Sequence, residues 1–292
     1  MSLRHNRLET VPDEVFERIL TYQPKMYTRI LDVMSALEVK GGNIVLNKNN
    51  ILLLETLFTD LRQAVLSEDY LSIIKGYASE FDKQGVIIDE FFLKEFEASV
   101  SSDSVLILSQ SKRNAVALMV GDGLDYNVVK PVSDIVRDAV YNNAAWSDTV
   151  ADVQAYALGN NQVDSRLMRY SKQVVSDAFA IADRSYSMSN AKRLDLVWYR
   201  YLGGLIKDSR CFCEARNGGY FHEKEIEGWA EGVGLDNCRS GDLWQGAIRG
   251  TNKSNIFTLL GGYNCKHSLV PVSEFAVPDE DLERARQKGI IN

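Results

Sequence analysis

All four cysteines of the chain and two of its three histidines fall within residues 208–272. Cys211 and Cys213 are two residues apart, and so are Cys265 and His267. In an extended chain, residues i and i+2 point to the same side. Brought together, the two pairs would offer three thiols and an imidazole, which is a ligand set suited to tetrahedral Zn²⁺.

The same residues also fit a purely structural role. Free cysteines are among the most buried side chains of proteins and pack as small apolar groups. The C-x-C spacing is less typical of zinc sites than C-x-x-C, so packed thiols are favoured, with His267 as a hydrogen-bonded core histidine and no cofactor. If a metal is bound, three further side chains are spare candidates: Cys238, His222 and Asp208.

A cysteine nucleophile is the third chemical possibility in this stretch. His267 or His222 could activate Cys213 or Cys265 by accepting the thiol proton. Neither a nucleophile-elbow motif nor an oxyanion loop accompanies these residues in the sequence. We therefore expect no catalytic residues and no enzymatic activity.

Composition and charge limit the classes of function. The chain has 292 residues, enough for one large or two ordinary domains, and 45% of them are hydrophobic. A formal charge of −7 disfavours a general nucleic-acid binder, because phosphate binding needs a basic surface. No apolar run is long enough for a membrane-spanning helix, and the first residues do not resemble a signal peptide. We expect folding in a reducing cytoplasm, where disulfides rarely persist.

Helical periodicity dominates the first 190 residues, where apolar side chains recur at i, i+3 and i+4. Between residues 39 and 47, alternation around Gly41-Gly42 predicts a short hairpin instead. The predicted helices begin at or just after the following positions: Pro12, Asn50, Asp69, Asp89 (to Val100), Val105 (to Val120), Pro131, Ser147 (to Gly159-Asn160-Asn161) and Val163 (to Tyr186).

The pattern changes at Leu194, where alternation rich in aromatic and β-branched residues predicts a strand. Glycine is then frequent and the predicted helices are short, such as residues 223–230, whose Glu223, Glu225 and Glu227 are expected to form a solvated face. A last helix is predicted at residues 280–288.

We therefore predict a mainly α fold with a small α+β C-terminal domain. Residues 1–190 would form a helical body with one short hairpin and a polar N-terminal arm. Residues 191–292 would form a domain rich in cysteine, glycine and aromatic residues, with a C-terminal helix. The polar ends, residues 1–10 and 273–292, are expected to remain free to order against partner proteins.

Two sequence elements near the C-terminus carry a family resemblance. The first contains Asp208, Arg210, Cys213 and the turn Gly218-Gly219-Tyr220-Phe221, and the second runs Asn264-Cys265-Lys266-His267 into Leu269, Pro271 and Val272. They resemble the C-terminal part of the phage Mu F-like family, the minor head (head-morphogenesis) proteins of tailed phages. The resemblance covers residues 163–275 and includes a long helix at 163–186.

This chain departs from the family pattern at two places. Its first cysteine pair is C-x-C, where the family often has C-x-x-C, and Lys266 replaces the usual arginine. Both departures weaken the transfer of a metal site from the family to this chain.

The resemblance implies a structural component of a tailed-phage virion: a minor head, connector or portal-associated protein, made in the host cytoplasm and incorporated into the virion. Its partners would be portal, capsid or connector proteins, and it would form a homo-oligomer in the particle, with no membrane or nucleic-acid partner. The alternatives are a Cys-His enzyme module and an internal packaged protein that contacts DNA. DNA contact would use local basic patches, for which the candidates are Lys48, Lys112, Arg113, Lys192 and Arg193.

Overall fold

The computed structural model describes residues 2–99, 101–160, 162–234 and 238–292. These residues are mostly helical, with small antiparallel sheets chiefly in the C-terminal region, which confirms the predicted fold class. Val100 and Asn161, at which two predicted segments end, lie outside the described residues. The helices have these bounds: α1 (Ser2–Met34), α2 (Lys48–Val65), α3 (Glu68–Phe96), α4 (Ser102–Val120), α5 (Asp122–Leu124), α6 (Lys130–Tyr141), α7 (Trp146–Leu158), α8 (Arg166–Arg193), α9 (Cys211–Glu214), α10 (Glu223–Trp229), α11 (Ile256–Leu259) and α12 (Asp279–Gln287).

Within the described residues, the strands form one three-stranded sheet and two short hairpins. Their bounds are β1 (Val39–Lys40), β2 (Asn43–Ile44), β3 (Trp198–Leu202), β4 (Tyr220–His222), β5 (Arg239–Ser240), β6 (Leu243–Trp244) and β7 (Ser268–Val272). In the larger sheet β3 lies between β4 and β7 and is antiparallel to both. Trp198 pairs with His222 on one side and with Val272 on the other. The aromatic strand predicted from residue 194 is therefore the central strand of this sheet. Three of its side chains, Trp198, Tyr199 and Tyr201, are buried.

The described chain forms two compact units, each assembled from separate segments of sequence. One contains Met1–Val11, Glu80–Arg113 and Ser176–Asn292, and we call it the cysteine unit. The other contains Pro12–Ser79 and Asn114–Val175, and we call it the helical unit. The boundary predicted near residue 190 lies inside the cysteine unit, because the last part of α8 belongs to the same unit as β3.

In the helical unit, α2 shows how sequence pattern determines structure. The side chain of Asn47 accepts a hydrogen bond from the Asn50 N–H at 2.8 Å and so caps the first turn. The stripe predicted for this helix comprises Leu54, Leu57, Phe58, Leu61 and Val65, and all of them are buried except Phe58, which is half-buried. Regular spacing of apolar residues is therefore sufficient to place this helix in its core.

The predicted hairpin within residues 39–47 is confirmed, with strands of two residues each. Val39 pairs with Ile44 across the turn. The two turn residues, Gly41 and Gly42, both have positive φ values, 59° and 87°. Glycine adopts this conformation readily because it has no Cβ.

The prediction of separate helices beginning at Asp69 and Asp89 is wrong, because α3 runs without a break from Glu68 to Phe96. No proline interrupts this sequence, and its glycines are tolerated within the helix. A Cβ at Gly85 would lie 2.5 Å from the Leu108 side chain. Glycine here permits close packing rather than ending the helix.

The predicted N-terminal arm is also wrong. Residues 2–10 belong to α1, and Arg4 and Leu8 are only 5% and 2% exposed. Arg4 forms an ion pair with Asp183 of α8, a partner 179 residues away in sequence. A polar segment is thus held in place by one apolar and one charged anchor.

Residues 273–292 are packed rather than free. Val277 and Ala285 are buried in one cluster with Trp198. Arg284 lies 3.3 Å from the carboxylate of Glu225. The end of the chain is therefore part of the cysteine unit, and the prediction of a free C-terminal segment is wrong.

Candidate functional site

Three of the four predicted ligands meet in the structure. Cys213 lies on α9, Cys265 in the loop after α11, and His267 directly before β7. The Sγ atoms of Cys213 and Cys265 are 4.0 Å apart, and the Cys265 Sγ is 3.9 Å from His267 Nδ1. All three residues are buried, and one ligand atom from each lies within 4.8 Å of the others. We call them the Cys-Cys-His cluster.

Cys211 does not join this cluster, so its assignment as a ligand is wrong. The structure joins Cys211 to Cys238 in a disulfide, with the Cα atoms 5.6 Å apart. Cys211 and Cys213 lie on the short helix α9, where residues i and i+2 are about 200° apart around the axis. The expectation of an extended C-x-C pair is wrong because α9 is helical. The expectation that disulfides do not persist is wrong at Cys211 and Cys238.

A buried arginine on α8 holds the backbone that carries the cluster. The guanidinium of Arg184 donates to the main-chain carbonyls of His267 and Thr258, each at 2.8 Å, and to that of Cys265. A planar guanidinium with five N–H donors can satisfy several carbonyls at once. Arg184 therefore connects the loop after α11 to α8.

Arg184 is not among the site residues predicted from the sequence, although the pattern of α8 contains a clue to its burial. Arg184 lies three residues after Ile181, an apolar position of the helix predicted from Val163 to Tyr186, and that spacing keeps a helical residue on the same side. A charged side chain on a buried face needs partners in the protein interior. Arg184 is 3% exposed, and its partners are backbone carbonyls that no sequence motif identifies.

Tyr201 of β3 packs directly against the cluster. Its hydroxyl lies 3.3 Å from the Cys213 Sγ, and its ring stacks on the His267 imidazole with centroids 5.0 Å apart. Two glycines make room for this arrangement. A Cβ at Gly261 would lie 2.6 Å from the Cys213 Sγ, and one at Gly203 would overlap the imidazole of His267.

The two thiols differ in acidity. The hydrogen bond to Cys265, together with burial, raises the pKa of the Cys213 thiol. The same hydrogen bond, reinforced by the Arg184 guanidinium, holds the pKa of the Cys265 thiol well below its ordinary value despite burial. The hydrogen bond from Cys213 and the Arg184 guanidinium thus favour the ionised form at Cys265 over that at Cys213, and the thiolate is the form of cysteine that binds metals and attacks electrophiles.

His267 is a buried core histidine, as the sequence favoured, and its Nδ1 lies 3.9 Å from the Cys265 sulfur, within hydrogen-bonding distance for sulfur. It is 5% exposed, and within the described part of the chain its Nε2 has no hydrogen-bond partner. Its Nδ1 faces only the sulfur of Cys265, and sulfur is a weak hydrogen-bonding group. An unpaired buried polar group costs about 1–3 kcal/mol. The imidazole thus has binding capacity that the described residues do not use.

A cavity of about 260 Å³ borders the cluster, and all three cluster residues contribute to its wall. Asp208, one of the spare ligand candidates, lies on the same wall. The other charged and polar side chains that line it are Glu9, Ser209, Arg210, Asn264 and Lys266. A small polar ligand or solvent could therefore reach the cluster from this side.

The remaining spare candidates lie elsewhere. Cys238 is in the disulfide, and His222 caps α10 by accepting a hydrogen bond from the Lys224 N–H at 3.3 Å. The expected solvated face of α10 is wrong at Glu225, which is 7% exposed and bonds to Lys288 at 3.0 Å. Neither His222 nor Glu225 is part of the Cys-Cys-His cluster.

A second buried polar group in the cysteine unit surrounds Asp183. Arg4 donates two hydrogen bonds of 2.9 Å to its carboxylate, and Gln84 and Ser268 add bonds of 2.8 Å and 3.2 Å. Burial alone would raise the pKa of Asp183, but the charge of Arg4 and these hydrogen bonds outweigh it and lower the pKa. The carboxylate is therefore ionised and fully paired, which is the requirement for a stable buried charge.

No model of a known protein family, no curated protein and no solved structure matches this chain. Among the described residues, none of the helices combines the length and the apolar character that crossing a membrane requires. A functional proposal therefore depends on the residues and geometry of the chain itself.

Proposed function

We propose that the protein is a structural component of a tailed-phage virion, a minor head, connector or portal-associated protein that acts by protein–protein assembly. The observation that carries this proposal is the arrangement of the two family-like elements. Tyr220-Phe221 of the first lies in β4 and Leu269–Val272 of the second lies in β7, and both strands pair with β3. Cys213 and Cys265, one from each element, also meet at 4.0 Å. Elements inherited together as one domain are expected to fold together in this way.

Exposed apolar side chains of the cysteine unit are candidates for contacts with neighbouring virion proteins. Phe275, directly after the sheet, is fully exposed at 102%. Aromatic residues are enriched in protein interfaces, where they bury a large area at low entropic cost. The other large apolar side chains exposed in this unit include Leu205, Ile206 and Val233. Partners of this kind would be portal, capsid or connector proteins, or further copies of the chain.

Quantitative mass spectrometry of purified particles tests this proposal. We expect peptides of this chain in the particles at a fixed ratio to the portal protein. Absence of the chain from particles that contain both portal and capsid proteins would contradict a structural role.

A matched pair of variants then tests the contact surface. Phe275→Ser should lower incorporation into particles, whereas Tyr126→Ser, which changes an aromatic residue 71% exposed in the helical unit, should not. Equal incorporation of both variants would remove Phe275 from the contact surface.

A Cys-His enzyme is a second candidate, and one observation favours it: the cluster lies beside a cavity large enough for a small substrate. An activated thiolate would react quickly with iodoacetamide in the native protein, and His267→Gln would slow the reaction. A merely packed thiol would react only after unfolding, and that outcome would exclude the enzyme.

A further inference from the structure

We propose that the Cys-Cys-His cluster binds one divalent cation of the Zn²⁺ type through the two sulfurs and the His267 imidazole. In a tetrahedral zinc site two sulfur ligands are about 3.8 Å apart, and a sulfur and a nitrogen ligand about 3.6 Å apart. The observed separations are 4.0 Å between the sulfurs and 3.9 Å between the Cys265 Sγ and His267 Nδ1. These two pairs fit an ion with shifts of a few tenths of an ångström, and the third pair, Cys213 with His267, lies within 4.8 Å. The proposal does not depend on the virion role.

The ligand atoms determine which cations fit. Thiolate and imidazole are the preferred ligands of Zn²⁺ and similar transition metals, whereas Mg²⁺ and Ca²⁺ require oxygen ligands. Cys213, Cys265 and His267 supply two sulfurs and a nitrogen from buried positions. The cluster should therefore select Zn²⁺ over the more abundant hard cations.

The imidazole of His267 has coordinating capacity that the described residues do not use. It is 95% buried, its Nδ1 has a weak contact with the Cys265 sulfur at 3.9 Å, and its Nε2 has no hydrogen-bond partner within the described ranges. Buried polar atoms nearly always have a partner, and an exception points to a bound ion, a water or a catalytic role. A cation bound at Nδ1 would replace the weak sulfur contact by a strong one and leave Nε2 as the N–H, which a water molecule in the adjacent cavity would satisfy.

The backbone around the cluster leaves space that side chains would otherwise fill. A Cβ at Gly261 would lie 2.6 Å from the Cys213 Sγ and 2.9 Å from the Cys265 Sγ. On the other side, a Cβ at Gly203 would overlap the His267 ring. Glycine at both positions allows the three ligands to converge.

The fourth coordination position faces the cavity. Cys211 cannot supply the fourth ligand because it is joined to Cys238. Asp208 lines the cavity that the cluster borders but is not part of the cluster, so a water molecule or another small ligand is the candidate for this position. Three protein ligands and one open position are typical of zinc sites that exchange a ligand, whereas structural sites have four protein ligands.

Metal binding would replace protons on the cluster. Each cysteine that binds as a thiolate releases its thiol proton to solvent, so affinity should rise with pH. A disulfide between Cys213 and Cys265 is the competing state, since the sulfurs are 4.0 Å apart, and its formation would need an oxidant that accepts two electrons.

Cobalt titration of the full-length protein, with its cluster thiols reduced, tests the proposal directly. We expect saturation at about one Co²⁺ per chain and the near-ultraviolet charge-transfer absorbance of thiolate–cobalt bonds, both lost on addition of Zn²⁺. Elemental analysis of protein prepared with Zn²⁺ should give the same stoichiometry. Folded, reduced protein that shows no charge-transfer absorbance would overturn the proposal.

Cysteine variants identify the ligands. Cys265→Ser and His267→Gln should weaken binding by more than the ~10–100-fold that changes outside the ligand shell cause. Cys238→Ser removes a cysteine outside the cluster and should bind as the wild type does. Binding lost equally in all three variants would place the site elsewhere and overturn the assignment.

The competing disulfide is detected by peptide mapping under non-reducing conditions. A Cys213–Cys265 cross-link in the protein as isolated, together with no bound metal after mild reduction, would also overturn the proposal. If a ligand variant does not fold, the cobalt spectrum of the wild type still decides between metal binding and packing.

Discussion

The helical unit and the cysteine unit are stabilised by different kinds of contact. In the helical unit, helices satisfy their own backbone groups, and apolar stripes such as Leu54, Leu57 and Leu61 supply the core. In the cysteine unit, much of the chain between β3 and β7 is irregular, and the buried guanidinium of Arg184 satisfies three of its carbonyls. Irregular backbone in a protein interior needs such partners because unpaired carbonyls are costly there.

The largest predicted effect concerns the buried ion pair of the cysteine unit. Arg4→Met leaves the Asp183 carboxylate buried without its counter-charge and should lower the free energy of unfolding by about 3–5 kcal/mol. Urea denaturation measures the loss. The double variant Arg4→Met, Asp183→Leu should recover most of it, because replacing both charges removes the unpaired group. A single variant that costs less than about 1 kcal/mol would show that Arg4 is not an anchor.

The matching prediction for the helical unit concerns apolar packing. Leu61 is 1% exposed, and Leu61→Ala should lower the free energy of unfolding by about 3 kcal/mol, because it leaves a cavity in the core. Leu52 lies on the same helix at 48% exposure, so Leu52→Ala should change stability by about 0.5 kcal/mol or less. Equal losses in urea denaturation would contradict the assigned stripe of α2.

This contrast explains how much of the fold could be predicted from the sequence. The stripe of α2, the hairpin at Gly41-Gly42 and the aromatic strand β3 follow from period and turn chemistry, which are local properties. The ion pair of Arg4 with Asp183 does not, because its partners are 179 residues apart. The same limit explains why polar ends of the chain were predicted to be free, whereas the structure packs them.

The candidate site, too, was predicted only in part, because residue type and spacing are local properties and long-range contacts are not. Cys213, Cys265 and His267 were named from residue type and spacing, and the structure brings them together. Cys211 was included because an extended chain was assumed, whereas α9 is helical. Arg184 and Tyr201 contact the cluster, and no local motif identifies their partners, which only the long-range contacts show.

A smaller effect is expected at two neighbouring glycines next to the cluster. A Cβ at Gly203 would overlap the His267 ring, so Gly203→Ala should cost about 1–3 kcal/mol through overpacking. A Cβ at Gly204 would lie 3.4 Å from the Glu9 carboxylate and 4.0 Å from His5 Nε2, which are ordinary contacts, so Gly204→Ala should be nearly neutral. Thermal denaturation of both variants measures the difference. Equal melting temperatures would mean that His267 is not held against this backbone.

The smallest predicted effect is the pH dependence of the unfolding free energy that Glu225 contributes. Burial opposes ionisation of this carboxyl, but hydrogen bonds from Arg284, the His222 N–H and Lys288 lower its pKa. A lowered pKa in the folded state stabilises the protein above the unfolded-state value of ~4.3, and this contribution is lost as pH falls through the folded-state pKa.

The expected size of this contribution is on the order of 1 kcal/mol, and it is measured by urea denaturation at a series of pH values. Glu225→Gln should lose less stability than the wild type between neutral pH and pH values below about 4. Glu223→Gln, on the same helix, is the matched control and should follow the wild type. Parallel curves for all three proteins would remove Glu225 from the set of stabilising carboxylates.

We expect that a cation at the Cys-Cys-His cluster holds the irregular backbone of the cysteine unit. The most direct test of this central claim is hydrogen exchange of the full-length protein, measured before and after treatment with a zinc chelator. Removal of the cation should accelerate exchange at amides such as that of Cys265, which donates to the Gly262 carbonyl at 3.1 Å. Amides of the helical unit, such as that of Leu66 bonded to the Arg62 carbonyl at 2.9 Å, should be unaffected. Unchanged exchange around Cys265, or an equal increase in both units, would contradict the account.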